Sequence, residues 1–281
     1  MKLLLTLLAL IATLSLVFSQ KVNYDVYALR YANVASPFPI SALVLDGPED
    51  QNMNAVFMIW LIKESNGRNI LVDAGFILPI EESNHYQFKD YERPDSTLAK
   101  VGLRPEEISD IIITHPHWDH MDGIDLFPNA QLWIQKDDYN YFTGSAWQAN
   151  GRHGGFNKRD VIKIIKANLD GKLTLIDGDD KEIIPGIKVY TGSRHTFNSQ
   201  YVLVESGDNK IIIASDNMYT YYNLELLKSA PLGATFDTEG YVNGMKRMKT
   251  LSSDIRFIIP GHDASLFSRF PIVSEGVVQI K

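Results

Sequence analysis

The chain has 281 residues, 45% hydrophobic and 22% charged, proportions that exclude a disordered or collagen-like chain and allow a sizeable buried core. Its 34 acidic against 27 basic residues give a formal charge of −7, which argues against a nucleic-acid-binding surface. Without cysteine there is no disulfide framework, thiolate zinc site or cysteine nucleophile, so any metal must sit on carboxylates and on the seven histidines.

In chain order, Met1-Lys2 lead into an apolar run, Leu3 to Phe18, closed by Ser19. A positive start, an apolar stretch, and Val17 and Ser19 at the cleavage positions predict a signal peptide over residues 1–19, cut before Gln20. A retained membrane anchor is the minority alternative, since a spanning helix needs ~20 residues. The expectation is an exported protein, periplasmic or secreted, with no membrane span in the mature chain. Residues 20–281 show no internal repeat, low-complexity tract or proline- or serine-rich linker, and are expected to form a single compact domain.

Runs rich in β-branched and aromatic residues predict strands at Val56–Ile62, Asn69–Val72, Asp110–Ile113, Gln131–Ile134, Leu173–Ile176, Lys188–Tyr190, Tyr201–Glu205, Lys210–Ile213 and Ile255–Ile259. Helical patterns fall at Asp95–Val101, Lys158–Asn168, Leu224–Ser229 and Thr238–Leu251. The turn Ser206-Gly207-Asp208-Asn209 makes its flanking strands an antiparallel hairpin. Together these predict an α/β protein with mixed, largely antiparallel sheets between helices, not a doubly wound parallel sheet. Two long irregular stretches, 76–94 and 139–157, carry Phe76, Leu78, Tyr86, Phe88, Tyr91, Tyr141, Phe142, Trp147 and Phe156, and are candidates for lids with an apolar trough.

Between them the apolar run Ile111–Ile113 empties into Thr114-His115-Pro116-His117-Trp118-Asp119-His120, four metal-capable side chains within six residues. In extended chain, positions i and i+2 project to the same side, so His115 and His117 can clasp one ion while Asp119 and His120 address a second. Three later apolar runs each end in a tight turn and one more such residue: His195, Asp216 and His262. Strand-end loops are where a rigid scaffold presents functional groups. His85 and His153 read as exposed loop residues.

This pattern resembles the metallo-β-lactamase superfamily, whose H-x-H-x-D-H signature is matched by His115, His117, Asp119 and His120, and whose later ligands fall on His195, Asp216 and His262. The resemblance implies an αββα four-layer sandwich. It also implies one ion on His115, His117 and His195, a second on Asp119, His120 and His262, and Asp216 bridging them. Asp73 would support the metal loop, and Trp118 would form a wall. Histidine and carboxylate donors make Zn²⁺ the first choice for the two divalent ions. Paired ions sharing a water lower its pKa from about 15.7 towards ~7, which makes hydroxide the expected nucleophile.

Within the family, the bridging Asp216 disfavours true β-lactamases. Tyr219, three residues on, occupies the offset of a catalytic tyrosine in N-acyl-homoserine lactonases. The implied reaction is lactone opening, with Asp119 and Tyr219 catalytic: Tyr219 holds the oxyanion and Asp119 assists departure of the ring alkoxide. The chain departs from the glycine-rich lactonase pattern around His195, where Arg194 is inserted and Asn198 replaces a glycine; Arg194 reads as a solvated or structural charge. A small-molecule acyl lactone or other ester is thus the expected partner, and no nucleic acid. Thioester (glyoxalase II-like) or phosphotriester hydrolysis, a non-catalytic metal-binding module, and a homodimeric assembly stay open.

Overall fold

Side chains alternate between two buried faces along most of the strands, and this alternation sets the layering. The computed structural model describes residues 22–65 and 67–281; the predicted signal segment lies outside them. One sheet runs in the order Ile272–Ser274, Val277–Gln279, Tyr24–Val34, Val56–Glu64, Asn69–Val72, Asp110–Ile112, Gln131–Gln135, Leu173–Ile176, with Phe88–Tyr91 also paired to Tyr24–Val34. Its first pairings are antiparallel, and those from Asn69–Val72 onward are parallel. The second sheet runs Lys181–Ile184, Ile187–Tyr190, Tyr201–Ser206, Asn209–Ser215, Ile258–Pro260, antiparallel except for the last pair.

Met58, Trp60 and Ile62 face Val202, Val204, Ile211 and Ile213 in a core between the sheets. The intervening Ile59 and Leu61 point the other way, onto a helical layer that supplies Met121, Phe142 and Ile164. Leu203, Ile212 and Ala214 likewise turn outward to Tyr241, Met245 and Met248 of helix Thr238–Leu251. Three cores separate four layers, helix, sheet, sheet, helix, as expected. Strands covered on both faces read as continuous apolar runs, which is why their positions were legible.

Several expected elements are corrected. Residues Ile255–Phe257 form a 3-10 turn, because the Asp254 side chain accepts a hydrogen bond from the Arg256 amide, and the strand proper is Ile258–Pro260. The helix expected at Leu224–Ser229 spans Tyr221–Leu226: Thr220 and Asn223 cap its start reciprocally, and Leu227 turns left-handed (φ 50°) at its end. The stretch from 139 begins inside a helix, Lys136–Thr143.

The histidine-rich turn docks on the turn that follows Asn69–Val72. The Ala74 amide donates to the His120 carbonyl (2.7 Å) and the Gly123 amide to the Gly75 carbonyl (2.8 Å). A Cβ at Gly123 would lie 2.2 Å from the Ala74 carbonyl oxygen, backbone against backbone with nothing flexible to yield. Gly123→Ala is therefore expected to lower the unfolding free energy by about 1–3 kcal/mol, the usual range for overpacking, read as a lower urea midpoint; an unchanged midpoint would contradict this docking.

Candidate metal centre

Most residues of the centre follow a strand end. Asn69–Val72 delivers Asp73, Asp110–Ile112 delivers His115 and His117, Asn209–Ser215 delivers Asp216, and Ile258–Pro260 delivers Gly261 and His262. Asp119 and His120 sit on a single helical turn, Trp118–Met121. His195 lies in the connection between Ile187–Tyr190 and Tyr201–Ser206. All seven sequence-predicted ligand positions come together in two groups: His115, His117, His195 with Asp216, and Asp119, His120, His262 with Asp216, the donor atoms within each lying within 4.8 Å of one another.

Asp216 is common to both. Its Oδ2 is 3.6 Å from His115 Nε2 and 3.4 Å from His195 Nε2, whereas its Oδ1 is 2.9 Å from His262 Nε2 and 3.3 Å from His120 Nε2. Asp119 Oδ2 lies 3.3 Å from His120 Nε2 and 3.5 Å from His262 Nε2. Gly261 permits this approach, because a Cβ there would come within 2.4 Å of Asp216 Oδ1.

Outer hydrogen bonds aim the rings. His120 Nδ1 and Asp73 Oδ2 are 2.8 Å apart; His195 Nδ1 meets the Ala234 carbonyl (2.7 Å), His262 Nδ1 the Val56 carbonyl (2.9 Å), and His115 Nδ1 the Thr114 hydroxyl (2.9 Å). An Nδ1–H donated outward leaves the Nε2 lone pair facing inward. His115 Nε2, His120 Nε2 and Asp216 Oδ1 are buried without a hydrogen-bond partner, a costly arrangement for polar atoms unless something else satisfies them. Two facing sets of imidazole and carboxylate donors, with orphaned atoms aimed between them, fit a pair of divalent cations.

The electrostatics agree. Burial holds His117 down to about 3, with His195 adding to the effect, and burial and neighbouring imidazoles hold His115 well below its ordinary range, so both rings are neutral and able to donate a lone pair. Burial opposes ionisation of Asp216, but the charges of His120 and His262 outweigh it and keep the carboxyl well below its ordinary range.

A cavity of about 270 Å³ opens above the centre. His117, Asp119, Asp216 and His262 form its floor, Tyr219 one side, and Phe57, Trp118, Tyr86, Phe38 and Val34 an apolar side. Of the aromatic residues in the two long stretches, Tyr86 lines this cavity, while Phe76 and Phe142 are fully buried in the core. Phe38, Leu43 and Phe57 went unsuspected; they come from the chain before the histidine motif, and no local pattern marks them. His85 and His153 are exposed and belong to neither donor group. Arg194 adopts φ 53° with its guanidinium over the Phe197 ring.

A model of the family described as the metallo-beta-lactamase superfamily matches residues 57–262. An N-acyl homoserine lactonase of Bacillus cereus is 28% identical over 174 residues, 61% of this chain and 62% of the relative, so the match spans less than two thirds of that enzyme's length. A solved N-acyl homoserine lactone hydrolase with the product N-hexanoyl-L-homoserine at its catalytic metal centre superposes with a TM-score of 0.68 at 22% identity, covering 90% of this chain and 98% of that one. AidC, a dizinc quorum-quenching lactonase in complex with product, gives 0.65 at 17% identity, covering 86% and 88%.

Beside the centre, Asp138 is buried and accepts hydrogen bonds from the Thr196 hydroxyl (2.5 Å) and the Asn198 amide (3.0 Å), holding the loop that carries His195. Burial pushes its pKa up from 3.8 to about 6. The fold thus favours the protonated acid, and this contribution to stability is full below about pH 4 and lost as pH rises through 6. In metal-free protein Asp138→Asn is expected to flatten the stability curve across that window and to gain up to about 3 kcal/mol at pH 8; urea titrations at several pH values check it.

Proposed function

The chain belongs to the metallo-beta-lactamase superfamily, and we propose that it is a dinuclear metal-dependent hydrolase that opens the lactone ring of N-acyl-homoserine lactones, a quorum-quenching activity. The observation that carries the reading is the placement of Asp216, one carboxylate oxygen in each donor group, beneath a pocket that Tyr219 lines. The lactonase relative and the product-bound neighbours support the substrate class. The donor set supports Zn²⁺.

Divalent cations in the two groups would supply Lewis acidity, polarising an ester carbonyl and acidifying water. The residues of the chain do the rest. Tyr219 lies between His195 and His262, with ring centroids 5.2 and 5.8 Å away. Burial and the nearby carboxylate of Asp216 hold its phenol well above 10, so it keeps its proton and donates a hydrogen bond to the developing oxyanion. Burial opposes ionisation of Asp119, but His120 and His262 overcome it and leave a carboxylate at the pocket floor. That base takes up the proton released by water and passes it to the departing ring alkoxide. Phe57, Trp118 and Tyr86 give the acyl chain an apolar wall and exclude bulk water.

Metal-loaded protein incubated with short-, medium- and long-chain N-acyl-homoserine lactones should release one acid equivalent per ring, followed by titration, with glutathione thioesters, aryl esters and phosphotriesters in parallel. His117→Ala should abolish turnover. Tyr219→Phe should cut kcat about 100-fold with the metal content unchanged. Ring opening at no chain length, with turnover of one of the parallel substrates, would move the assignment to that substrate.

We further propose export, on the strength of the apolar segment closed by Ser19. Mass spectrometry of the exported protein should then find Gln20 at the amino terminus, and an intact Met1 there would refute cleavage.

A further inference from the structure

Four of the five imidazoles at the centre are aimed by a hydrogen bond from their outer nitrogen to Thr114, Asp73, Ala234 or Val56. His117 is reversed. Its Nδ1 faces inward, 3.0 Å from His195 Nε2, so its Nε2 is the outer atom. Among the described residues no hydrogen bond holds that nitrogen. The backbone of Gly155 lies against it instead: a Cβ at Gly155 would fall 2.7 Å from His117 Cδ2, 2.9 Å from Nε2 and 3.1 Å from Cγ. Gly155 has φ +81°, its carbonyl accepts the Trp118 amide (2.9 Å), and the neighbouring Phe156 ring meets the imidazole at 5.4 Å and 50°.

We propose that Gly155 is a positioning residue for the first metal group: its bare backbone, pressed on the face of His117, fixes the ring by contact where the other four rings are fixed by hydrogen bonds. Rotation of a histidine ring about its χ2 bond is broad and shallow, so an unanchored imidazole sweeps its donor atom away from the centre. A close-packed wall restricts that rotation as a hydrogen bond does, provided that nothing protrudes from it. Any side chain at 155 must displace either the ring or the Trp118–Gly155 hydrogen bond. Gly154 and Gly155 also line the cavity, so one contact joins the substrate wall to a metal ligand.

The inference rests on the proposed metal binding, and its test separates the two. In Gly155→Ala, chelator-competition titration with Zn²⁺ or Co²⁺ should show one of the two ions bound about 10- to 100-fold more weakly, the effect expected for a lost ligand support, with the other nearly unchanged. Gly102→Ala supplies the control for backbone strain alone, having φ +71° and nothing within 4 Å of its Cβ, and should bind as wild type. In metal-free protein the His117 ring resonances should shift in Gly155→Ala and not in Gly102→Ala, a readout that survives even if the wild type binds no cation. If Gly155→Ala unfolds, His117→Ala should rescue it, leaving a loss of melting temperature no greater than that of Gly102→Ala. Wild-type affinity for both ions, unmoved His117 resonances, or an equal stability loss with and without the His117 ring would each overturn the proposal.

Discussion

The centre depends on one buried carboxylate. Asp73, fully buried, accepts hydrogen bonds from the Thr114 amide (2.8 Å) and hydroxyl (2.9 Å), from the Ser215 hydroxyl (2.9 Å), and meets His120 Nδ1 at 2.8 Å. Thr114 and His120 belong to the first sheet's histidine turn, and Ser215 ends a strand of the second. Burying an ion costs several kcal/mol, and charge-assisted hydrogen bonds return roughly 1.5–3 kcal/mol each, so the balance is favourable only when all partners are present. The sheets must therefore be stacked in register before the centre can exist. Asp73 and Ser215 both adopt left-handed φ, 61° and 49°. Such conformations cost of order 1–3 kcal/mol each and persist where the surroundings over-determine them.

Around that anchor the donors are arranged for cations rather than for one another. Nitrogen atoms of His117 and His195 approach to 3.0 Å, and buried nitrogens of His115 and His120 lack partners. Burial alone would lower the affinity of His120 for a proton, yet the carboxylates of Asp119, Asp216 and Asp73 raise it well above its ordinary range. In the absence of metal, a proton on His120 thus offsets part of the surrounding negative charge. The positive charge has a built place at the second group, and a metal ion held there would take over the role of that proton.

Much of this was legible because the chemistry concentrates at the ends of apolar runs. The positions of His115, His117, Asp119 and His120 are set by local spacing, and His195, Asp216 and His262 each follow a recognisable strand and turn. The first strand, Tyr24–Val34, was not legible: Asp25, Arg30 and Asn33 interrupt its pattern, and a register shift between Arg30 and Ala32 breaks its alternation. Thr220 with Asn223 was a capping signal for Tyr221–Leu226, and the acidic pair Asp137-Asp138 one for Lys136–Thr143. The cavity wall contributed by Val34, Phe38 and Leu43 has no sequence signature at all. It is created when the segment after the first strand folds over the centre, an event governed by tertiary packing.

The opposite wall, the one that carries Trp118, is stiffened by an electrostatic tie behind it. Arg159 donates to both oxygens of Asp122 (2.6 Å each) and to the carbonyls of Ile77 (2.8 Å) and Pro79 (2.9 Å), while the Ile77 amide donates to Asp122 (2.8 Å). Helix Lys158–Leu169, the histidine turn and the segment after Gly75 are thereby tied at one point. Asp160 is buried beside Asp122, and burial together with the Asp122 charge pushes its pKa to about 9. At neutral pH Asp160 is therefore protonated and leaves Asp122 as the single anion shared by Arg159 and Lys163. Two ionised carboxylates there would repel each other and loosen the tie. With one, the segment holds Phe76 against Trp118, ring centroids 4.6 Å apart, so the wall of the cavity is backed by packed aromatic core. A pocket so supported keeps its shape in the absence of ligand, and the ordering cost that binding would otherwise carry is met during folding.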